Sequence, residues 1–143
     1  MMNIRVFIVD DYPIVRRGLR RLLELEPDIQ VVGEAADGQD AVQRVSAVRP
    51  DVVLMDIKMP RMNGIAATRA VKAVVPNVKV LMLTVHGDGY LAPALREGAD
   101  GFVAKEGSGT ELVRAIRDAA ALARPGIGLM PKGEGRAAAL KGG

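Results

Sequence analysis

Short apolar runs alternate with helix-period stretches five times along this chain, and that alternation limits the fold more than any other feature. The first run is Ile4-Arg5-Val6-Phe7-Ile8-Val9, and further runs cover 29–35, 51–55, 78–83 and 101–104. Each is followed by a segment with helical spacing of its apolar residues. In 14–25 these are Val15, Leu19, Leu22 and Leu23, with Arg16, Arg17, Arg20 and Arg21 read as a solvated face. Pro13 suits the first turn of that helix. Asp37-Gly38 turns the chain into a second helix that aligns Ala41, Val42, Val45 and Val48. A third helix spans 65–75 and stops at Pro76, and a weaker one spans 91–97 and closes at Gly98. Ser108-Gly109-Thr110-Glu111 is a capping box, and it opens a last helix with Leu112, Val113, Ile116, Ala120 and Ala123 inward.

Five βα units imply an α/β fold: a parallel sheet covered by helices on both faces, joined by right-handed crossovers. Val52-Val53-Leu54-Met55 has the nearly unbroken apolar character of a strand buried on both sides. Five units fit the doubly wound, flavodoxin-like (βα)5 order 2-1-3-4-5 better than the six-stranded dinucleotide fold. After Arg124 the pattern stops at Pro125-Gly126-Ile127-Gly128, so residues 1–124 are expected to form the domain and 125–143 a linker or flexible tail.

Charge and composition exclude several functions. The net charge of +3 is unevenly spread: residues 125–143 carry three basic side chains and one acidic, while the other 124 carry 17 basic and 16 acidic. The domain is therefore close to neutral and lacks the basic face of a nucleic-acid binder. Aromatic residues, at 3%, are too few for base-stacking platforms. With no cysteine and a single histidine, His86, there is no thiolate or multi-histidine metal site and no cysteine nucleophile. No apolar run approaches the roughly 20 residues of a membrane span, and the N-terminus has no signal pattern. A cytoplasmic location and no membrane partner are expected.

In a doubly wound sheet, ligands bind beyond the carboxyl ends of the strands at the switch in strand order. The polar residues at those ends are Asp10 and Asp11, Asp56, Thr84 and Lys105. In the order 2-1-3-4-5 all five converge on one edge. At about 5 Å and an effective dielectric near 20, each pair of carboxylates repels by roughly 3 kcal/mol, so the group must protonate or take a cation. Oxygen ligands alone select Mg²⁺ or Mn²⁺ over zinc. A lysine and a hydroxyl beside them suit phosphoryl oxygens, and a carboxylate can be a nucleophile. The set reads as metal-dependent phosphoryl transfer onto an aspartate, with Asp56, after the central strand, as acceptor.

The residues that carry a family resemblance are Val9-Asp10-Asp11, Met55-Asp56-Ile57-Lys58-Met59-Pro60 with Asn63-Gly64, Leu83-Thr84, and Gly98-Ala99-Asp100-Gly101-Phe102 with Lys105. Over about residues 3–123 the chain resembles the receiver domain of two-component response regulators. The resemblance implies that Asp56 accepts a phosphoryl group from a sensor histidine kinase. It implies that Asp11, Asp56 and the Lys58 backbone carbonyl ligate Mg²⁺ directly and that Asp10 acts mainly through water. Thr84 and Lys105 would contact the phosphoryl group, and Phe102 is the counterpart of an aromatic that rotates inward on activation, unless it is ordinary core. Such a protein is a phosphorylation-controlled binding module with self-catalysed phosphotransfer and dephosphorylation, not an enzyme in the usual sense. Phosphorylation would alter the surface of helix four, strand five and helix five and could promote a homodimer.

Residues 13–19, 33–38, 84–86, 115–117 and 126–131 resemble more closely the subfamily with a C-terminal LuxR-type helix-turn-helix, whose output is transcription. DNA would then be a partner only through a domain absent from this chain. Truncation or loss from a two-domain transcription factor is favoured over a stand-alone receiver acting by protein–protein contact. A haloacid-dehalogenase-type phosphatase would need an acid two residues after Asp56, where Lys58 stands. A flavodoxin-type flavin carrier would meet repulsion between its phosphate and Asp10-Asp11. Two departures stand out: Tyr12, where this subfamily often has histidine, and Gly87, Gly89 and Pro93, which weaken the start of helix four so that it is expected to begin near Pro93.

Overall fold

The computed structural model describes residues 3–84, 89 and 91–122. Its elements are β1 (Ile4–Val9), α1 (Pro13–Glu24), β2 (Ile29–Ala35), α2 (Gly38–Val48), β3 (Val52–Asp56), α3 (Gly64–Val74), β4 (Lys79–Thr84), α4 (Leu91–Arg96), β5 (Gly101–Ala104) and α5 (Gly109–Leu122). All strands are parallel, in the order β2-β1-β3-β4-β5. The expected doubly wound topology is the one found.

Side chains alternate across a strand, and two cores follow from that. Phe7, Val9, Val53, Met55, Val80, Met82 and Phe102 point to the face covered by Ala41 and Val45 of α2, Ala67 and Val71 of α3, and Ala94 of α4. Val6, Ile8, Val52, Leu54, Leu81, Leu83 and Val103 point to the face of Leu23 of α1 and Leu112, Val113 and Ile116 of α5. β1 and β3, central and covered twice, have no polar residue between Val6 and Val9 or between Val52 and Met55. The β1–β2 register shifts between Val6 and Phe7, which places Gly33 opposite Phe7. A Cβ on Gly33 would sit 2.6 Å from the Phe7 ring, so the glycine makes room for the largest side chain of the core.

Local signals account for the helix ends. Pro13 occupies the first turn of α1. Asp37 caps α2, its Oδ1 accepting the Asp40 amide at 2.9 Å. Asn63 caps α3 by accepting the Ala66 amide at 2.9 Å. The capping box of α5 is complete: the Glu111 amide donates to Ser108 Oγ at 3.1 Å, and the Ser108 amide donates to Glu111 Oε1 at 3.2 Å. Helix four, expected over 91–97, is Leu91–Arg96; the further expectation that it begins near Pro93 does not hold, because a proline within the first turn removes only an N–H that has no intrahelical partner there. His86, Gly87, Ala123 and the expected linker or tail at 125–143 lie outside the described residues. Among the described residues no helix is long and apolar enough to cross a membrane.

Candidate functional site

The carboxyl ends of β1, β3, β4 and β5 lie side by side, and the polar residues there form one site. Asp10, Asp11 and Asp56 each bring a carboxylate oxygen within 4.8 Å of the others. Asp10 is fully buried and Asp56 is 5% exposed. Lys105 follows β5 and reaches back with Nζ 3.0 Å from Asp56 Oδ1 and 3.0 Å from Asp10 Oδ2. The contact to Asp10 is one of charge without hydrogen-bond alignment, because Asp10 Oδ2 accepts no hydrogen bond among the described residues. The other oxygen, Asp10 Oδ1, accepts the Tyr12 amide at 3.0 Å.

The electrostatics follow from one cation facing three acids. Burial pushes the Asp56 carboxyl up to about 6; Lys105 opposes the rise, and Asp10 and Asp11 add to it. Burial pushes Lys105 down, but its contacts with Asp56 and Asp10 outweigh this and leave it above its ordinary range. Asp11 Oδ1 is buried and also accepts no hydrogen bond among the described residues. A buried carboxylate oxygen without a donor is costly, and a divalent cation would satisfy it. The donor set is all oxygen, as Mg²⁺ requires. The residues therefore fit a hard divalent ion.

The approach to the site is a cleft of about 370 Å³ lined by Asp11, Ile57, Lys58, Met59, Pro60 and Asn63. Lys58 is exposed on its rim, and Tyr12, 59% exposed, stands beside the acidic turn. Thr84 ends β4 half-buried, and its carbonyl accepts the Lys105 amide at 2.8 Å. Phe102 is placed differently. It is 7% exposed and packs in the core on the α3–α4 face, paired in register with Met82. The floor of the site is tight: a Cβ on Gly64 would lie 2.0 Å from the Asp56 carbonyl oxygen. Only glycine lets α3 start so close to the end of β3.

A family model for the response regulator receiver domain matches residues 6–117. The chain belongs to the response regulator receiver family. This receiver is 40% identical over 131 residues to the transcriptional regulatory protein DegU of Brevibacillus brevis, covering 91% of this chain and 54% of DegU. The signal receiver domain of the putative response regulator NarL from Mycobacterium tuberculosis superimposes with a TM-score of 0.79 at 38% identity, covering 84% of this chain and 98% of that one. A LuxR-family two-component response regulator from Aurantimonas gives 0.79 at 38% identity, covering 92% and 97%. The chain spans about half the length of the curated relatives it matches. Receiver domains bind Mg²⁺ at an acidic phosphorylation site, and the Asp10–Asp11–Asp56 cluster is such a group of acids.

Two features beside the site are invisible in the local sequence pattern. Arg16 and Arg20 are half-buried rather than part of a solvated face: Arg16 donates to the Asp10 carbonyl at 2.6 Å and to Glu34 Oε1 at 3.1 Å, and Arg20 Nε donates to Glu34 Oε2 at 2.5 Å. Arg17 and Arg21 are exposed, as expected. Arg61, on the loop that lines the cleft, has φ of +67° and pairs with the α2 cap Asp37. A non-glycine residue is strained there.

Proposed function

We propose that the Asp56 carboxylate accepts a phosphoryl group from a sensor histidine kinase and that the resulting acyl phosphate controls an output. The reading is carried by one observation: Asp56 ends β3, with Oδ1 3.0 Å from Lys105 and its carboxylate grouped with those of Asp10 and Asp11. With a carboxyl pushed up only to about 6, Asp56 is ionised near neutral pH and available as a nucleophile. One of its oxygens bonds to phosphorus while the bond from phosphorus to the donor imidazole nitrogen breaks. The imidazole leaves and takes up a proton from solvent.

Asp11, Asp56 and the Lys58 backbone carbonyl would hold Mg²⁺, with Asp10 acting through water. When bound, Mg²⁺ (or Mn²⁺) supplies positive charge that offsets the carboxylates and the phosphoryl oxygens. Lys105 would donate to one phosphoryl oxygen and the Thr84 hydroxyl to another. Movement of Thr84 toward the phosphoryl group would open space for Phe102 and alter the α4–β5–α5 surface. The cycle is self-catalysed phosphotransfer and dephosphorylation without turnover of a separate substrate. Residues 1–124 are the receiver and 125–143 a linker or tail. The output is transcription, through a DNA-binding domain outside this chain, and phosphorylation promotes a homodimer.

Intact-mass analysis after incubation with phosphoramidate or acetyl phosphate tests the reading. One added phosphoryl group is expected with Mg²⁺ and none with EDTA or in Asp56→Asn. A gain that persists in Asp56→Asn, or no gain in a protein shown to bind Mg²⁺, would overturn it.

A further inference from the structure

We propose that Arg16 is a positioning residue of the acidic site: anchored by Glu34, its guanidinium holds the Asp10 carbonyl and so fixes the peptide between Asp10 and Asp11, two of the acids that would hold the cation. This rests on the reading of the cluster as a Mg²⁺ site. The turn after β1 is tied at three points. The Asp10 amide donates to the Ala35 carbonyl at 3.2 Å, the Tyr12 amide donates to Asp10 Oδ1 at 3.0 Å, and Arg16 donates to the Asp10 carbonyl at 2.6 Å. The third tie is the one that bears on the peptide unit joining the two acids. It is short and charge-assisted, so it restrains orientation more strongly than a neutral bond.

Arg16 is itself held in place. Its side chain is 18% exposed, and Nε donates to Glu34 Oε1 at 3.1 Å. Burial pushes the Glu34 carboxyl up, but the hydrogen bonds and charges of Arg20 and Arg16 outweigh it and hold the group below its ordinary range. Glu34 therefore stays ionised and orients the guanidinium. The chain of contacts runs from β2 through Glu34 and Arg16 to Asp10, in the manner of groups that orient metal ligands without touching the metal.

A plainer role, a staple between α1 and β2, is separable by geometry. Arg20 binds the second oxygen of Glu34 at 2.5 Å and pairs with Glu24 at 3.3 Å, and among the described residues it makes no hydrogen bond to Asp10. Arg20 is a staple alone; Arg16 is a staple and a clamp on the site. The two arginines thus provide their own control.

The experiment is a Mg²⁺ titration of the full chain followed by amide NMR, with hydrogen exchange on the metal-free protein. Arg16→Met is expected to weaken Mg²⁺ binding about tenfold and to speed exchange of the Asp10 and Tyr12 amides. Arg16→Lys keeps the charge and one donor but cannot hold Asp10 and Glu34 together, so its affinity should fall between. Arg20→Met, which loosens Glu34 but leaves the bond from Arg16 to the Asp10 carbonyl, should unfold more readily and lower Mg²⁺ affinity less than Arg16→Met does. Unchanged affinity in Arg16→Met, or an equal loss in Arg20→Met, would overturn the proposal. If Arg16→Met does not fold, Arg16→Lys decides: intermediate affinity supports the role and wild-type affinity overturns it. A wild-type chain that takes up no Mg²⁺ would instead overturn the reading of the cluster, and with it this role. Mg²⁺ binding without phosphorylation would overturn the acceptor role of Asp56 alone.

Discussion

Replacing Asp56 with asparagine should make the metal-free protein more stable, even though the residue is the proposed centre of its function. Burial and the neighbouring Asp10 and Asp11 push the Asp56 carboxyl from the usual 3.8 to about 6, against the opposing pull of Lys105. The native state then binds a proton more tightly than the unfolded chain, so stability falls as pH rises from about 4 to about 6. Each pH unit between the two pKa values is worth about 1.4 kcal/mol, so the ionised group costs the fold about 3 kcal/mol at pH 7.5. Asparagine has the same shape and no charge and escapes that cost. About half of the gain should remain at pH 5, where the native carboxyl is protonated but the unfolded one is still charged, and almost none at pH 3.5.

Urea unfolding followed by far-ultraviolet circular dichroism, in EDTA, reads this directly. A gain of about 3 kcal/mol moves the midpoint up by roughly 1–2 M. With saturating Mg²⁺ the difference should shrink or reverse, because only the wild type keeps its full set of ligands and gains stability by binding. A variant less stable than the wild type in EDTA at pH 7.5, or a gain unchanged between pH 3.5 and 7.5, would refute the argument that repulsion and burial at Asp56 are uncompensated without metal.

Three other perturbations follow from the same geometry. Lys105→Met removes the group that holds the Asp56 carboxyl down, so its pKa in the metal-free protein should rise above about 6, which carboxyl NMR titration would show. Asp37→Ala removes both the α2 cap and the partner of Arg61 and should cost about 1–2 kcal/mol in thermal or urea unfolding; no loss would mean that water caps the helix as well. Gly64→Ala places a methyl group against the Asp56 carbonyl and should cost about 1–3 kcal/mol and lower phosphorylation by small donors, since α3 must move from the end of β3.

Much of the site was legible because topology, rather than local structure, brings it together. Once five βα units imply the order 2-1-3-4-5, the residues after β1, β3, β4 and β5 must be neighbours, and Asp10, Asp11, Asp56 and Lys105 are. Strand ends were readable for a related reason: β3 and β4 are buried on both faces, and their apolar runs stop where the sheet does. Arg16 and Arg20 were hidden because amphipathic spacing describes a helix against an average core. It takes no account of a single glutamate on the adjacent strand that draws two arginines inward. Asp37 was legible as a turn but not as a cap, and nothing in the loop sequence indicated that Arg61 would accept a left-handed backbone to meet it. The early start of α4 had a local cause, since the cost of proline depends on its position within the helix.

The most direct test of the central claim locates the modified residue. The chain is incubated with acetyl phosphate and Mg²⁺, reduced with borohydride, which converts an aspartyl phosphate to homoserine, and digested for peptide sequencing by mass spectrometry. Homoserine at position 56 and nowhere else is the expected result. Homoserine at position 10 or 11, or none in a sample that carries an added phosphoryl group, would contradict Asp56 as the acceptor.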